Sequence, residues 1–100
     1  MDLNGYLQAM SRAANVSVAD IMGRSRRPEL CVARNIIWLH LWEVEHLSTT
    51  QIGQRFGRAH ATVLHGIKNA RDYGNYKCYR RERGIMESFI NGIDKEKELC

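Results

Sequence analysis

The chain has 100 residues, which is enough for one small domain and argues against two. A hydrophobic fraction of 44% with a charged fraction of 26% excludes disorder on composition. A net charge of +4 with a sequence pI of about 9.2 admits a polyanionic partner without requiring one. No 18-residue apolar run is present, so no membrane span is expected. No basic start with an apolar core follows Met1 and Asp2, so no secretory signal is expected. The cysteines, Cys31, Cys78 and Cys100, are odd in number and lack a C-x-x-C pair, which reads as three reduced thiols in a cytoplasmic protein.

Residues 2–14 read as a helix with Leu3, Leu7, Met10 and Ala14 at helical spacing. "SVADIMG", 17–23, reads as a short second helix with Ser17 as N-cap and Gly23 as stop. "GRSRRPE", 23–29, is a basic loop that leads into a helix, because Pro28 disfavours helix before it and suits a first helical turn. The helix from about 28 to 45 is the expected core element. Cys31, Ile37, Leu41 and Val44 run along one side, with Trp38 and Trp42 beside them. Arg34 and Asn35 fall on a different sector.

In "STTQIGQRFG", 48–57, Ser48 and Gln51 form a capping box, Ile52 and Phe56 face inward, and Gly57 ends the helix. Gly53 costs roughly 1 kcal/mol relative to alanine inside a helix, which points to close approach of a partner helix. Another helix starts near His60 and runs to about 72, with Val63, Ile67 and Ala70 inward and Leu64 beside them. A short helix, a glycine-containing turn and a second helix make the layout of a helix-turn-helix, and the fold class expected is an all-α bundle of five to six helices. A last helix follows from about 75 to 97, with Tyr79, Ile85, Met86, Phe89 and Ile93 as packing residues and Gly84 interrupting it. "DKEKELC" is a polar tail expected to fray.

Metal and enzyme chemistry find little support. His60 and His65 are five residues apart, about 140° round a helix, and no acid lies within residues 56–66 to complete a set. His40 and His46 add no cluster. There is no Gly-x-Ser-x-Gly, no P-loop and no carboxylate pair, so no enzyme, cofactor or nucleotide is expected. Trp38 and Trp42 could stack on single strands, but their place on an apolar helix favours core packing.

Double-stranded DNA is the partner that the polar residues fit. The loop offers Arg24, Arg26 and Arg27, the long helix offers Arg34 and Asn35, and the second motif helix offers Arg58, His60, Thr62, His65, Lys68 and Asn69 away from its apolar side. Recognition helices place N-terminal residues on major-groove base edges, and an arginine-bearing loop suits the minor groove. A protein-interaction module, docking a replication or regulatory partner through the same surface or through the last helix "YKCYRRERGIMESF", is the competing reading.

"RSRRPELCVARNIIWLHLWEVEHLSTTQIGQRFGRAHATVLHGIKN" resembles the C-terminal DNA-binding domain of DnaA, the bacterial chromosomal replication initiator. The resemblance is strongest over residues 16–72 of a single domain spanning 1–100, and leaves 75–100 as an extra helix and tail. The family pattern ends in Ser-Leu-x-x-Ile-Gly-x-x-Phe-Gly-Gly-Arg-Asp-His-Thr-Thr-Val-Leu-His-Ala, where this chain reads "STTQIGQRFGRAHATVLHG". It implies a Trp-repressor-like helical domain that reads an asymmetric DNA box, in replication initiation or its regulation. Arg26 matches the loop arginine that enters the minor groove. Arg34 and Asn35 match a phosphate-contacting pair, with asparagine in place of glutamine. Thr49 and Thr50 match backbone-touching positions that are usually Leu-Pro, and His60, Thr62 and His65 match residues that face the major groove.

The departures are local. Gly-Gly-Arg-Asp-His is shortened to Gly-Arg-Ala-His, so that Ala59 stands where an aspartate would accept from a cytosine amino group and Ala61 where a threonine would meet a base or phosphate. The loss of that acid removes roughly 1–3 kcal/mol of base discrimination. The ATPase domain of full-length initiators has no counterpart in these 100 residues, so a complete chain of this sequence is expected to be a standalone DNA-binding module.

Overall fold

One helix is apolar on nearly all sides, and the fold is arranged around it. In the computed structural model, which describes residues 3–99 and side chains through residue 93, α3 spans Pro28–Glu43 with Pro28 in its first turn. It buries Leu30, Ala33, Ile36, Ile37, Trp38 and Leu41, a set too wide for a surface helix. Around it lie α1 (Leu3–Ala14), α2 (Val18–Met22), α4 (Thr49–Phe56), α5 (His60–Asn75) and α6 (Arg80–Leu99), with a 3-10 turn at Lys77–Tyr79. The described residues contain no strand. α5 packs on α3 and on α4, and α6 packs on α1. The all-α bundle with a helix-turn-helix at α4–α5 is the expected fold class.

Local chemistry sets the helix ends. Ser17 caps α2 by accepting from the Asp20 amide at 3.0 Å. Ser48 and Gln51 form the expected capping box, at 3.1 and 2.9 Å. Gly57 closes α4 in the left-handed region at φ 68°, with its N–H on the Gly53 carbonyl, a conformation that costs glycine nothing. Aromatic edges tie the layers together. Trp38 meets Phe56 edge-on at 5.8 Å between ring centres, joining α3 to α4, and His40 packs edge-on against Tyr6 and Phe89, joining α3 to α1 and α6. The Tyr6 hydroxyl donates to the Glu45 carboxylate.

Several expectations are corrected. α3 stops at Glu43, so Val44 is a C-cap residue and 52% exposed rather than core. Trp42 is a surface ring under the Arg71 guanidinium, 4.6 Å from its centre, while Trp38 is buried as expected. Leu64 lies about 100° round α5 from Val63, off the buried stripe of Val63, Gly66, Ile67, Ala70 and Tyr73, and is exposed. Gly84 does not interrupt α6, and the polar tail continues as helix through Leu99, with Cys100 outside the described residues. Gly53 is explained by the turn rather than by a partner helix, since a Cβ there would overlap the Arg58 carbonyl oxygen.

The largest correction concerns Arg34 and Asn35, which are not on an exposed sector but are 4% and 9% exposed. Arg34 Nε donates to the Ile21 carbonyl at 2.7 Å, Nη1 to Ser25 at 2.7 Å, and Nη2 to Asp20 and Gly23 at 2.9 and 3.0 Å. These are carbonyls at the end of a five-residue helix and the start of the basic loop, of which Asp20 also accepts from the Gly23 amide. A cation there also complements the negative end of α2. Asn35 Nδ2 donates to the Tyr73 hydroxyl at 3.1 Å, joining α3 to α5.

Arg34→Ala takes the donor from the Ile21 and Ser25 carbonyls and leaves Asp20 and Gly23 with one partner each, the Gly23 amide and Arg58, and is expected to lower unfolding free energy by about 3 kcal/mol. Urea unfolding measures this, and a loss under 1 kcal/mol would show that water replaces the guanidinium freely.

Gly66 stands where the initiator pattern has alanine. A Cβ on it would lie 2.5 Å from Asn35 Oδ1 and from Trp38 Cε3, both belonging to buried residues. Alanine gains about 1 kcal/mol of helix propensity, but overpacking a rigid core costs about 1–3 kcal/mol. Gly66→Ala is therefore expected to destabilise, whereas Gly84→Ala, which meets nothing within 4 Å, is expected to raise stability by up to about 1 kcal/mol. Thermal unfolding of the pair decides, and two shifts of the same sign would refute the packing account.

Candidate nucleic-acid interface

The buried guanidinium of Arg34 fixes the course of residues 23–27, and the Gly53–Arg58 contact fixes the turn into α5. Between these two elements lies an open groove of about 620 Å³. Its loop side carries Arg24, Ser25 and Arg26. Its floor carries Cys31, Arg34, Asn35 and Trp38 from α3. Its far side carries Gly57, Arg58 and Ala59 from the turn, then Thr62, His65, Gly66 and Asn69 from α5. Residues 62, 65, 66 and 69 follow helical spacing, so a single sector of α5 faces the groove.

The groove holds four arginines and no carboxylate. Arg58 has its guanidinium pushed below the usual arginine value, first by burial and then by the like charges of Arg34 and Arg24. Burial likewise lowers Arg34. These groups stay protonated at any physiological pH, so the consequence is a concentrated positive potential that an anion would relieve.

The structure sorts the sequence-predicted residues into groups. Arg24, Arg26, Arg34, Asn35, Arg58, Thr62 and His65 meet at the groove, along with Asn69. Arg27 does not line it. Its guanidinium pairs with Asp20 at 3.0 Å and Glu29 at 3.6 Å, exposed pairs of the kind that contribute about 0–1 kcal/mol. His60 is the first residue of α5 and stands about 160° round the helix from Thr62, outside the groove. Lys68 is exposed beside the groove-facing sector. Thr49 and Thr50 open α4, and Thr50 is exposed.

Ser25 and Cys31 line the groove without having been expected there. Ser25 accepts from the Arg27 amide at 3.3 Å and gives its carbonyl to Arg34. Cys31, read as core, is half-buried with its Sγ 3.7 Å from the Arg26 carbonyl that it donates to. The signal was available, since Cys31 lies one turn before Arg34 and must share its side of α3.

Ala59 is the N-cap of α5, with φ −67° and ψ 149°, and offers no side-chain cap. No acid stands in the first turn of α5 either. The N-terminal N–H groups of α5 therefore lack the carboxylate that a capping aspartate would supply. Among the described residues no group of three or more His, Cys, Asp or Glu could hold a metal ion, and no helix is long and apolar enough to cross a membrane.

Comparison with known proteins agrees with this geometry. A family described as the bacterial DnaA protein helix-turn-helix matches residues 7–70. The chain is 35% identical over 69 residues to the chromosomal replication initiator protein DnaA of Oleidesulfovibrio alaskensis, covering 69% of this chain and 15% of that protein. It is 44% identical over 62 residues to the DnaA of Thermomicrobium roseum, covering 61% and 13%. With the DnaA of Porphyromonas gingivalis the match reaches into α6, at 28% identity over 93 residues, 92% of this chain and 18% of that one. The chain thus spans less than a fifth of the length of each of these relatives. With a helix-turn-helix at α4–α5 inside the matched span, the chain belongs to the bacterial DnaA helix-turn-helix family.

Proposed function

We propose that this protein binds double-stranded DNA, with α5 in the major groove and the loop 24–27 in the adjacent minor groove, and that it acts in replication initiation or its regulation. The observation that carries the reading is the groove between loop and helix, with its four arginines and no acid. Arg26, with Arg24, takes the minor groove, where guanidinium is favoured by the negative potential. Thr62 and His65 face base edges, and Lys68 lies toward phosphate. The N-terminus of α4, with Thr49 and Thr50, and the uncapped N-terminus of α5, with His60, suit phosphate oxygens through open N–H groups. Arg34 retains at most one N–H for phosphate after its four carbonyl bonds, so its contribution runs chiefly through the loop that it holds. Asn35 contributes through its bond to Tyr73.

The reading needs no metal, nucleotide or catalytic group. Its competitor, a protein-docking module acting through the last helix, has less to work with. Arg83 is occupied in donating to the Tyr73 and Tyr76 carbonyls at 3.3 and 3.0 Å, which leaves Lys77, Arg80 and Arg81 as the exposed cations of that stretch.

Salt-dependent titration of labelled duplex separates the two readings. Four to six neutralised phosphates give a slope of log K against log salt of about −4 to −5. Absence of duplex binding at low salt would sink the DNA reading.

Ala59→Asp is expected to act twice. As an N-cap beside the positive end of α5 it raises stability by about 0.5–2 kcal/mol, read by thermal unfolding without DNA. Facing the major groove it restores a preference for C·G at one position by roughly 1 kcal/mol or more, read by site selection on both proteins. Identical base preferences alongside the stability gain would mean that the shortened turn no longer presents residue 59 to a base.

A further inference from the structure

Arg58 was expected to face DNA, yet most of its bonding capacity points into the protein. From the turn between α4 and α5 its side chain reaches back across 35 residues of sequence to the start of the arginine loop. Nη2 donates to the Gly23 carbonyl at 2.5 Å, and Nη1 donates to the Phe56 carbonyl at 2.7 Å. The same Gly23 carbonyl accepts from Arg34. The Arg58 amide donates to the Gly53 carbonyl at 2.9 Å, and the Arg58 carbonyl fills the space that a side chain at residue 53 would need. Its amide, carbonyl and guanidinium are thus all fixed, and the residue touches both walls of the groove at once.

We infer that Arg58 is a positioning residue, a strut that sets the offset between the arginine loop and α5 so that one duplex can meet both. The inference rests on the DNA-binding reading and names what makes the two contacts simultaneous. The chemistry favours a strut because a planar fork can hold two carbonyls that diverge by a fixed angle, whereas an ammonium is a point charge on a flexible stem. A free loop of five residues would visit many arrangements, and ordering it on DNA would subtract from affinity. Arg34 ties the loop to α3 at Gly23 and Ser25, and Arg58 ties the same Gly23 carbonyl to the turn before α5, which adds the second anchor that sets the loop against α5.

Two variants test this, because they separate charge from geometry. Arg58→Lys keeps the charge and loses the fork, and Arg58→Ala loses both. Without DNA, tryptic cleavage after Arg24 and Arg26 and amide exchange over 24–27 are followed at a temperature where circular dichroism shows each variant folded. A strut predicts that both variants open the loop, with cleavage faster by about tenfold and lysine giving little rescue. With DNA, Arg26→Ala is measured in the wild-type and Arg58→Lys backgrounds on a selected duplex. A loss of about tenfold in the wild type should shrink to about twofold or less once the strut is gone, because a loop no longer held in place has little left to lose. The salt slope of Arg58→Lys should stay that of the wild type.

A loop that stays closed in both variants overturns the strut. So does full additivity of the two substitutions, accompanied by a salt slope that falls by about one unit in Arg58→Ala and recovers in Arg58→Lys, since that is the signature of a phosphate ligand. A wild-type protein that binds no duplex refutes the DNA-binding reading separately, and the DNA-free cleavage rates then decide the strut on their own.

Discussion

The carbonyl of Gly23 is where the molecule is tied together. Two guanidiniums, Arg34 from α3 and Arg58 from the turn before α5, donate to it. Arg34 also takes the carbonyls of Asp20, Ile21 and Ser25. A buried charge is normally paired with a carboxylate, but here it is solvated by peptide dipoles, four of them aimed at one side chain. The arrangement solves two problems together. A five-residue helix is far below the length at which helix formation sustains itself, and its last carbonyls have no intrahelical donors. A basic loop, left free, would scatter its charges. One arginine on the most buried helix satisfies the first and fixes the second.

The other half of the site depends on how closely backbones approach. α5 can lie against α3 because residue 66 has no side chain, so the Trp38 ring and the Asn35 amide occupy the space where a Cβ would be. α4 can turn into α5 within three residues because residue 53 has none either, which lets the Arg58 carbonyl sit against the α4 backbone. Trp38 then spans the assembly, packing on Phe56 of α4 while lining the floor of the groove. Its indole Nε1 is buried with no hydrogen-bond partner, a cost of about 1–3 kcal/mol that the ring's packing must exceed. The groove's shape is therefore a consequence of core packing, not of surface loops adjusting to one another.

Much of this was legible in the sequence. The capping box at Ser48 and Gln51, the stop at Gly57 and the N-terminal Pro28 are local signals, and local signals place helix boundaries well. The buried stripe of α5 followed from spacing alone. What escaped were the features set by contacts distant in sequence. Arg34 and Asn35 look like surface residues on any scale of polarity, and only the presence of four carbonyls with accepting capacity 9 to 14 residues earlier makes burial of Arg34 favourable. Val44 was assigned to the core because α3 was extended two residues too far, and beyond its end the periodicity carries no information; Trp42 lies within α3, but in its last turn, where the ring meets Arg71 at the surface. Leu64 shows the same error from another cause, an apolar residue counted as buried because it adjoins a buried one. For the site, the sequence named most residues of the groove, but not which of them support others.

That distinction changes what the departures from the DnaA pattern mean. With Ala59 at the N-cap, the first turn of α5 loses a cap and the groove loses a negative charge from beside Arg58 and Arg24. The first effect weakens the end of the helix by about 1 kcal/mol. The second moves the electrostatics the other way, because four guanidiniums and an open helix N-terminus then face the groove without a carboxylate among them. On the DNA-binding reading, the substitution trades a base contact, which discriminates, for stronger attraction to phosphate, which does not. The ratio of specific to non-specific affinity narrows even if total affinity holds. A strut that keeps loop and helix in register then matters more, because with one base contact fewer, the simultaneous fit of both elements to one duplex carries a larger share of the specificity that remains.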